Sequence, residues 1–409
     1  MTYIRRHLPL LFIGLLLSLI LFALHVVAVY TIFTSKYPGA NDFYSRWGGA
    51  RAFWVNGLNP YSEEATLQIQ QGIYGRPAKE NEDPGPFAYP FYVAILIWPL
   101  VYLPYAWASA IWLSLLEVVL FGAAFFTMAM YGWRPPLWLA TFTAVWVVIF
   151  YHGARTILLG PVAALVYFGL ALSLWALHRR ADALAGIALA FCTIKPQMVY
   201  LIIPALLWWG WRQKREQFLA YFGAALAVLV GVSLLLAPSW PLDFLNQLLT
   251  YNSYQALGYT NIGSPVWIIS HVYFPILGSG GETLMIALLL GLTGYAWLYY
   301  RHQPQAFHWL VGLTLLTTNL ITPRAATTNY MVLLLPLFLF FSILSRRVPY
   351  GNGWVLAIQC AGLVGLWVLF GATVQGNFEG PELYLPLPLL VLVVLLWYRR
   401  PFMSEAPVP

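Results

Sequence analysis

The stretch "LPLLFIGLLLSLILFALHVVAVYTIF", residues 8–33, decides the structural class of this chain. A helix needs about 20 consecutive apolar residues to cross the hydrocarbon core of a bilayer, and this run is longer. A secretory signal peptide has an apolar core of only about 7–15 residues. We therefore expect residues 8–33 to stay in the protein as a membrane-spanning helix.

The composition extends this conclusion to the whole chain. Of its 409 residues, 61% are hydrophobic and only 9% are charged, whereas a soluble domain is about half apolar and about a quarter charged. The two cysteines lie inside apolar runs and predict no disulfide framework. The sequence thus predicts an all-α polytopic membrane protein that forms a single integral membrane domain over residues 1–409.

Clusters of Lys and Arg between the apolar segments predict the topology. The clusters are Arg5 and Arg6, Arg134, Arg179 and Arg180, Arg212 with Lys214 and Arg215, Arg301, Arg346 and Arg347, and Arg399 and Arg400. Loops rich in Lys and Arg face the cytoplasm. The apolar segments then pair into about 12 spans of the cell (plasma) membrane, with both termini cytoplasmic. These clusters also account for the net charge of +7, so we expect no nucleic-acid partner.

Three regions between the spans are predicted to shape the outer side. Residues 34–88 form a long first outer loop, with amphipathic helices around 47–58 and 64–74. Residues 89–104 are interrupted by Pro99 and are short for a span, which favours a re-entrant or interfacial element and leaves a short full span open. Residues 238–282 form a second outer loop.

Polar residues from distant parts of the chain fall on this outer side. They are Asp42, Arg46, Arg51, His152, Arg155, Lys195, His271, Arg324, Asn329 and Tyr330. Ionisable groups near membrane depth are costly, and such residues usually have a function.

Three of these residues carry the sharpest hypotheses, each with a plainer alternative. Asp42 suits a general base, or else is an acid that favours a helix N-terminus and pairs with Arg46 at i+4. Lys195, in "CTIKPQ", suits a point charge for an anionic headgroup or phosphate, or else is a snorkelling lysine at a turn. Arg324, in "ITPRAATTNY", has the same two interpretations. Arg155 is a weaker candidate of this kind.

Glu117 is a carboxylate deep inside a predicted span. It is interpreted either as a proton-relay acid of a transporter or as a structural acid. The sequence has no Asp-x-Asp pair, no His/Cys cluster and no phosphate-binding Gly loop. A metal-dependent or nucleotide-hydrolysing mechanism is therefore not predicted.

Four landmarks in order resemble the GT-C superfamily of polytopic glycosyltransferases. They are "DFYSRWGGARAFWVNGLNPY" (42–61), "FAYPFYVAILIWPLVYLP" (87–104), the region from "LLGPVAALVYFGL" to "CTIKPQ" (158–197), and "TPRAATTNYMVLLLP" (322–336). Within the superfamily the chain is most similar to glycosyltransferase family 87, which includes polyprenol-phosphate-mannose-dependent mannosyltransferases.

The resemblance implies an inverting transfer of a hexose, most simply mannose, from a polyprenyl-phosphate donor. The acceptor is then a glycolipid or glycan on the outer face, and membrane lipids surround the enzyme. Asp42 matches the catalytic acid and accepts the acceptor's proton, and Lys195 matches the lysine that binds the donor phosphate, with Arg324 assisting. No cofactor or metal is implied.

The resemblance extends the set of substrate-binding candidates and also shows departures from the family pattern. The further candidates are Arg46, Arg155, Gly160, Asn329 and Tyr330. The chain has Gly160–Pro161 where the family often has Gly-Gln, and residues 328–330 are Thr-Asn-Tyr where the family often has histidines. Two alternatives therefore stay open: a non-catalytic membrane subunit, and a transporter or flippase of lipid-linked substrates.

Overall fold

The computed structural model describes residues 2–37, 41–79, 82–253, 263–323, 325–376 and 379–405. Over these ranges the chain is helical and contains no β-strand. The first helices are α1 (Thr2–Val29), α2 (Asn41–Trp54), α3 (Glu63–Tyr74), α4 (Tyr92–Leu96), α5 (Tyr105–Met130), α6 (Leu137–Ile149), α7 (Tyr151–Leu159), α8 (Ala163–His178), α9 (Asp182–Phe191) and α10 (Ile202–Arg212). The later helices are α11 (Glu216–Leu236), α12 (Trp240–Ser253), α13 (Pro265–Trp267), α14 (Gly278–Tyr299), α15 (Phe307–Ile321), α16 (Leu334–Arg347), α17 (Gly351–Thr373), α18 (Pro386–Trp397) and α19 (Arg399–Glu405).

Several long apolar helices make this a multi-pass membrane protein. Six helical segments of the described chain are long and apolar enough to cross a bilayer, or up to seven if the bent pair α6–α7 forms one span. The six are Phe12–Thr34, Tyr105–Met130, Glu216–Leu236, Gly278–Tyr299, Thr327–Arg347 and Gly351–Thr373. The predicted number of about 12 spans is not confirmed.

Short helices explain the difference in span number. α9 and α10 have 10 and 11 residues, and at 1.5 Å per residue each covers only about half of the ~30 Å hydrocarbon core. Basic clusters show which ends of two helices share a side. They do not distinguish a pair of full spans from a pair of short helices, and the sequence analysis counted such pairs as spans.

The segment Thr327–Arg347 lies at the centre of the bundle. Its apolar window is completely buried inside the protein, and it begins with a 3₁₀ turn, Thr327–Leu333, before α16. Around it α8 packs against both α5 and α9, and α9 packs against α11. At Gly186 in α9 a Cβ atom would lie 2.5 Å from the carbonyl oxygen of Phe218 in α11, so the absence of a side chain lets these helices approach closely.

The first outer loop contains two helices, α2 and α3, and α2 begins several residues before its predicted position. α3 starts at Ser62, whose side chain accepts a hydrogen bond from the Ala65 amide, and ends at Gly75 with φ +68°. The earlier start of α2 places Asp42 in its first turn. The turn between the helices coincides with the predicted "Gly57…Asn59-Pro60" turn.

Hydrogen bonds fasten α2 to the segment 89–104. The indole of Trp47 donates to the carbonyl oxygen of Leu100 over 2.9 Å, and the indole of Trp54 donates to that of Ala94 over 3.0 Å. The segment itself is α4 followed by a five-residue 3₁₀ turn, Trp98–Tyr102, which begins at Pro99. Neither piece is long enough to cross a bilayer, so the alternative of a short full span is not supported. Its re-entrant position stays a prediction.

Candidate functional site

Lys195 lies at a break between α9 and α10, where two 3₁₀ turns, Cys192–Ile194 and Pro196–Met198, meet. A residue before proline is disfavoured in the helical region, and Lys195 has φ −135° and ψ 78°. Its side chain is only 4% exposed. The ammonium Nζ donates a hydrogen bond of 2.7 Å to Oδ1 of Asn329, so a neutral amide is its partner.

The surroundings of Lys195 lower the pKa of its ammonium below the usual 10.5. Burial is the main cause, and the positive charge of Arg46 acts in the same direction, while Tyr89 and Asp42 oppose it. Residues of α2 and of the segment 89–104 are therefore close enough to act electrostatically on Lys195. The hydroxyl of Tyr92 in α4 also contacts Thr193, donating to its carbonyl oxygen over 3.0 Å.

Arg46 connects α2 to Tyr89. Its Nη2 donates a hydrogen bond of 2.5 Å to the Tyr89 hydroxyl, and the guanidinium carbon lies 4.3 Å from the centre of the Tyr89 ring. The Tyr61 hydroxyl donates to the backbone carbonyl of Tyr89 over 2.6 Å and so fixes that residue from the other side. One turn before Arg46, Asp42 has an oxygen 4.0 Å from Nη1, and its side chain is 42% exposed. Asp42 can thus meet a molecule from outside while Arg46 is held in place.

Four predicted site residues therefore belong to one cluster, which we call the α2–Lys195 site. It contains Asp42, Arg46, Lys195 and Asn329, and the structure adds Tyr89. Sequence reasoning quoted Tyr89 inside a landmark but did not select it, because an uncharged aromatic residue in an apolar segment carries no distinct signal. The site has two cations and one carboxylate, a balance that suits a phosphate diester with a single negative charge.

Arg155 occupies a different environment. Its Nε lies 2.9 Å from Oε1 of Glu379, whose side chain is 7% exposed. The same carboxylate accepts hydrogen bonds from the hydroxyls of Tyr151, over 2.6 Å, and Thr327, over 2.8 Å. The charge of Arg155 is thus already balanced inside the protein, which favours a structural role over a free substrate contact. The sequence analysis missed Glu379 because "QGNFEGPE" was taken only as an outer turn.

The remaining predicted residues have these positions. Gly160 ends α7 with φ +71°, a left-handed cap that glycine adopts readily, and its carbonyl oxygen accepts a 2.8 Å hydrogen bond from the Trp112 indole. Tyr330 is fully buried, and its hydroxyl donates to the carbonyl oxygen of Tyr384 over 3.0 Å. Arg324 lies outside the described residues.

Glu117 pairs with His25 between α5 and α1. Its Oε2 lies 2.8 Å from Nε2 of His25, and the two side chains are 24% and 45% exposed. α1 is peripheral, since only 6% of its apolar window is buried. An acid on this edge of the bundle gives no support to a proton path through the centre.

The match to a known family identifies the chemical class. The sequence profile of glycosyltransferase family 87 matches residues 87–323, which is more than half of the chain. This all-helical membrane protein is therefore a glycosyltransferase. It belongs to glycosyltransferase family 87, which confirms the resemblance drawn from its sequence landmarks. No curated protein and no solved structure matches the chain.

The matched region covers part of the α2–Lys195 site. It contains Tyr89 and Lys195, but Asp42 and Arg46 precede it and Asn329 follows it. The roles of these three residues therefore depend on the geometry of the site. No group of three or more His, Cys, Asp or Glu side chains able to hold a metal ion occurs in the ranges described above, and metal independence stays a prediction.

Proposed function

We propose that this protein transfers a hexose, most simply mannose, from a polyprenyl-phosphate donor to a glycolipid or glycan on the outer face of the plasma membrane, with inversion at the anomeric carbon. Family membership supports glycosyl transfer. The observation that carries the finer proposal is the α2–Lys195 site, where an exposed carboxylate lies near two held cations.

In the proposed reaction Asp42 is the general base. The acceptor hydroxyl oxygen attacks the anomeric carbon, and its proton passes to the Asp42 carboxylate. The bond between the anomeric carbon and the phosphate oxygen breaks, and the polyprenyl phosphate leaves with the electron pair. A single displacement inverts the anomeric configuration and needs no second carboxylate as nucleophile.

Lys195 and Arg46 would hold the donor phosphate. A lysine ammonium has three donors, and one of those of Lys195 is used on Asn329, which leaves two for phosphate oxygens. Positive charge there stabilises the negative charge that grows on the leaving phosphate. We propose that these side chains suffice and that no metal or other cofactor takes part. Arg324 is proposed to assist.

The decisive experiment compares the wild type with Asp42→Asn in lipid nanodiscs. Each is incubated with a panel of radiolabelled polyprenyl-phosphate sugars and total membrane glycolipid. We expect transfer from one donor by the wild type and a loss of at least ~100-fold in the variant, the usual scale for a general base. Glu64→Gln, an exposed acid in the first turn of α3, is the matched control and should retain full activity.

The outcomes separate the proposal from its alternatives. Near-normal transfer by Asp42→Asn would remove Asp42 from the mechanism. If the folded wild type binds a donor and transfers from none, the protein is a non-catalytic subunit or a flippase. No structural feature favours either alternative, since Gly160 serves as a helix cap and Glu117 lies at the edge of the bundle.

A further inference from the structure

A recess lies at the end of α10 that is opposite to Lys195. It has an empty volume of about 310 Å³ and forms where the ends of α10 and α14 meet the start of α15. Its wall contains Trp208, Trp209, Arg212, Trp297, Tyr300 and Arg301. Both arginines belong to the basic clusters that the topology places on the cytoplasmic side, and this recess takes no part in the proposed transfer.

Aromatic contacts hold the walls of the recess in place. The rings of Trp208 and Trp297 meet edge to face at 6.1 Å, and those of Trp209 and Phe307 lie 4.6 Å apart. The indole of Trp297 donates a 2.8 Å hydrogen bond to the hydroxyl of Thr314. Such interlocked rings present a preformed apolar surface, and tryptophan is enriched where proteins meet the headgroup region.

The cations around the recess have no internal counter-ion. Within the described ranges no carboxylate lies within 4.0 Å of Arg212, Arg301 or Arg399. Arg215, only three residues after Arg212, shows the contrast, because it pairs with Asp182.

Arg399 is positioned beside the recess by two aromatic rings. Its guanidinium carbon lies 5.1 Å from the Tyr300 ring and 5.6 Å from the Trp309 ring. Together with the two arginines of the wall, it makes the recess an unbalanced positive site.

We propose that this recess binds the phosphate headgroup of an anionic glycerophospholipid from the adjacent leaflet. Arginine recognises phosphate oxygens through paired donors, and the aromatic wall suits the glycerol region of the same lipid. Basic pockets between membrane helices on the cytoplasmic side bind acidic headgroups in this way. The inference does not depend on the proposed transfer reaction.

Native mass spectrometry of the purified full chain tests the proposal. The protein is exchanged into mixed micelles that contain equal amounts of phosphatidylglycerol and phosphatidylcholine. We expect the wild type to retain phosphatidylglycerol preferentially. The double variant Arg212→Gln/Arg301→Gln should lose about 30-fold of this preference, from roughly 1 kcal/mol for each arginine near the headgroups.

A matched control separates the recess from general surface charge. Arg134→Gln/Arg179→Gln removes two exposed arginines of the same predicted face that do not line the recess and should keep the preference. Equal retention of both lipids by the wild type, or an unchanged preference in the Arg212/Arg301 variant, would overturn the proposal. If that variant does not fold, Arg212→Lys/Arg301→Lys retains the charge, and it should retain phosphatidylglycerol but more weakly.

A third arm distinguishes a lipid from a free phosphate. Inorganic phosphate is added at constant ionic strength, and the lipid that remains bound is measured. Displacement at millimolar phosphate would show that the site recognises the free anion and would refute the lipid assignment. Retention of phosphatidylglycerol under these conditions supports it.

Discussion

Replacing Lys195 with methionine should separate donor binding from stability. Methionine is close to lysine in length and lacks the charge, so the change removes the ammonium and leaves a similar volume in a site that is 4% exposed in the wild type. If Lys195 holds the donor phosphate, the variant loses a charge-assisted hydrogen bond of about 1.5–3 kcal/mol. At 1.4 kcal/mol for each tenfold, the donor Kd should rise about 10- to 150-fold.

The stability of this variant is set by two opposing contributions. Oδ1 of Asn329 loses its 2.7 Å hydrogen bond, and leaving a buried acceptor unsatisfied costs about 1–3 kcal/mol. The variant also no longer buries a cation. Because burial lowers the pKa of Lys195 in the folded state, the unfolded chain binds its proton more tightly, and folding at neutral pH includes a penalty that disappears as the pH rises through and above the two pKa values. We expect a nearly unchanged Tm.

Isothermal titration with the donor and a thermal melt of the same preparation measure both quantities. A weakened donor with an unchanged Tm supports a functional lysine. An unchanged donor Kd would refute the phosphate role, and a large fall in Tm with normal donor binding would show that Lys195 is structural.

The pH dependence of kcat/KM gives a check that does not depend on the methionine variant. Because the pKa of Lys195 is lowered, activity should fall on the alkaline side at a lower pH than for an ordinary lysine. Lys195→Arg keeps its charge there, so any residual activity of this variant should lack that alkaline fall. An identical alkaline profile in both proteins would contradict the assignment.

Three further substitutions test the packing and the electrostatics. Tyr89→Phe removes the hydroxyl that binds Arg46 and keeps the ring, so kcat/KM should fall about tenfold or more with little change in Tm; unchanged kinetics would exclude the hydroxyl from the site. Glu379→Gln leaves Arg155 buried without its counter-ion and should destabilise the protein by about 3–5 kcal/mol in a denaturant titration, and a wild-type midpoint would contradict the ion pair. Gly186→Ala should cost about 1–3 kcal/mol through its contact with α11, whereas Gly223→Ala, with open space around its Cβ, should be neutral or slightly stabilising; equal Tm values for these two variants would refute the close approach.

The sequence predicted the sides of the membrane better than the number of spans. Placing the basic clusters on one side brought Lys195 and Asn329 to the other, although 134 residues separate them. The same argument overcounted the spans, because charge clusters carry no information on helix length. The residues that sequence reasoning missed show a similar limit. Tyr89 and Glu379 acquire significance only from partners that are far away in the chain, Arg46 and Arg155.

The contrast between two buried cations shows which of them is available to a substrate. Arg155 faces a carboxylate, Glu379, which cancels its charge and accepts two further hydrogen bonds. Lys195 faces the amide of Asn329, which satisfies one donor and cancels nothing. An isolated buried charge is expensive, and a protein that needed Lys195 only for packing would be more stable with an acid opposite it or with an apolar residue in its place. The amide partner is understandable if the counter-ion arrives with the substrate, and an anionic lipid phosphate is such a counter-ion.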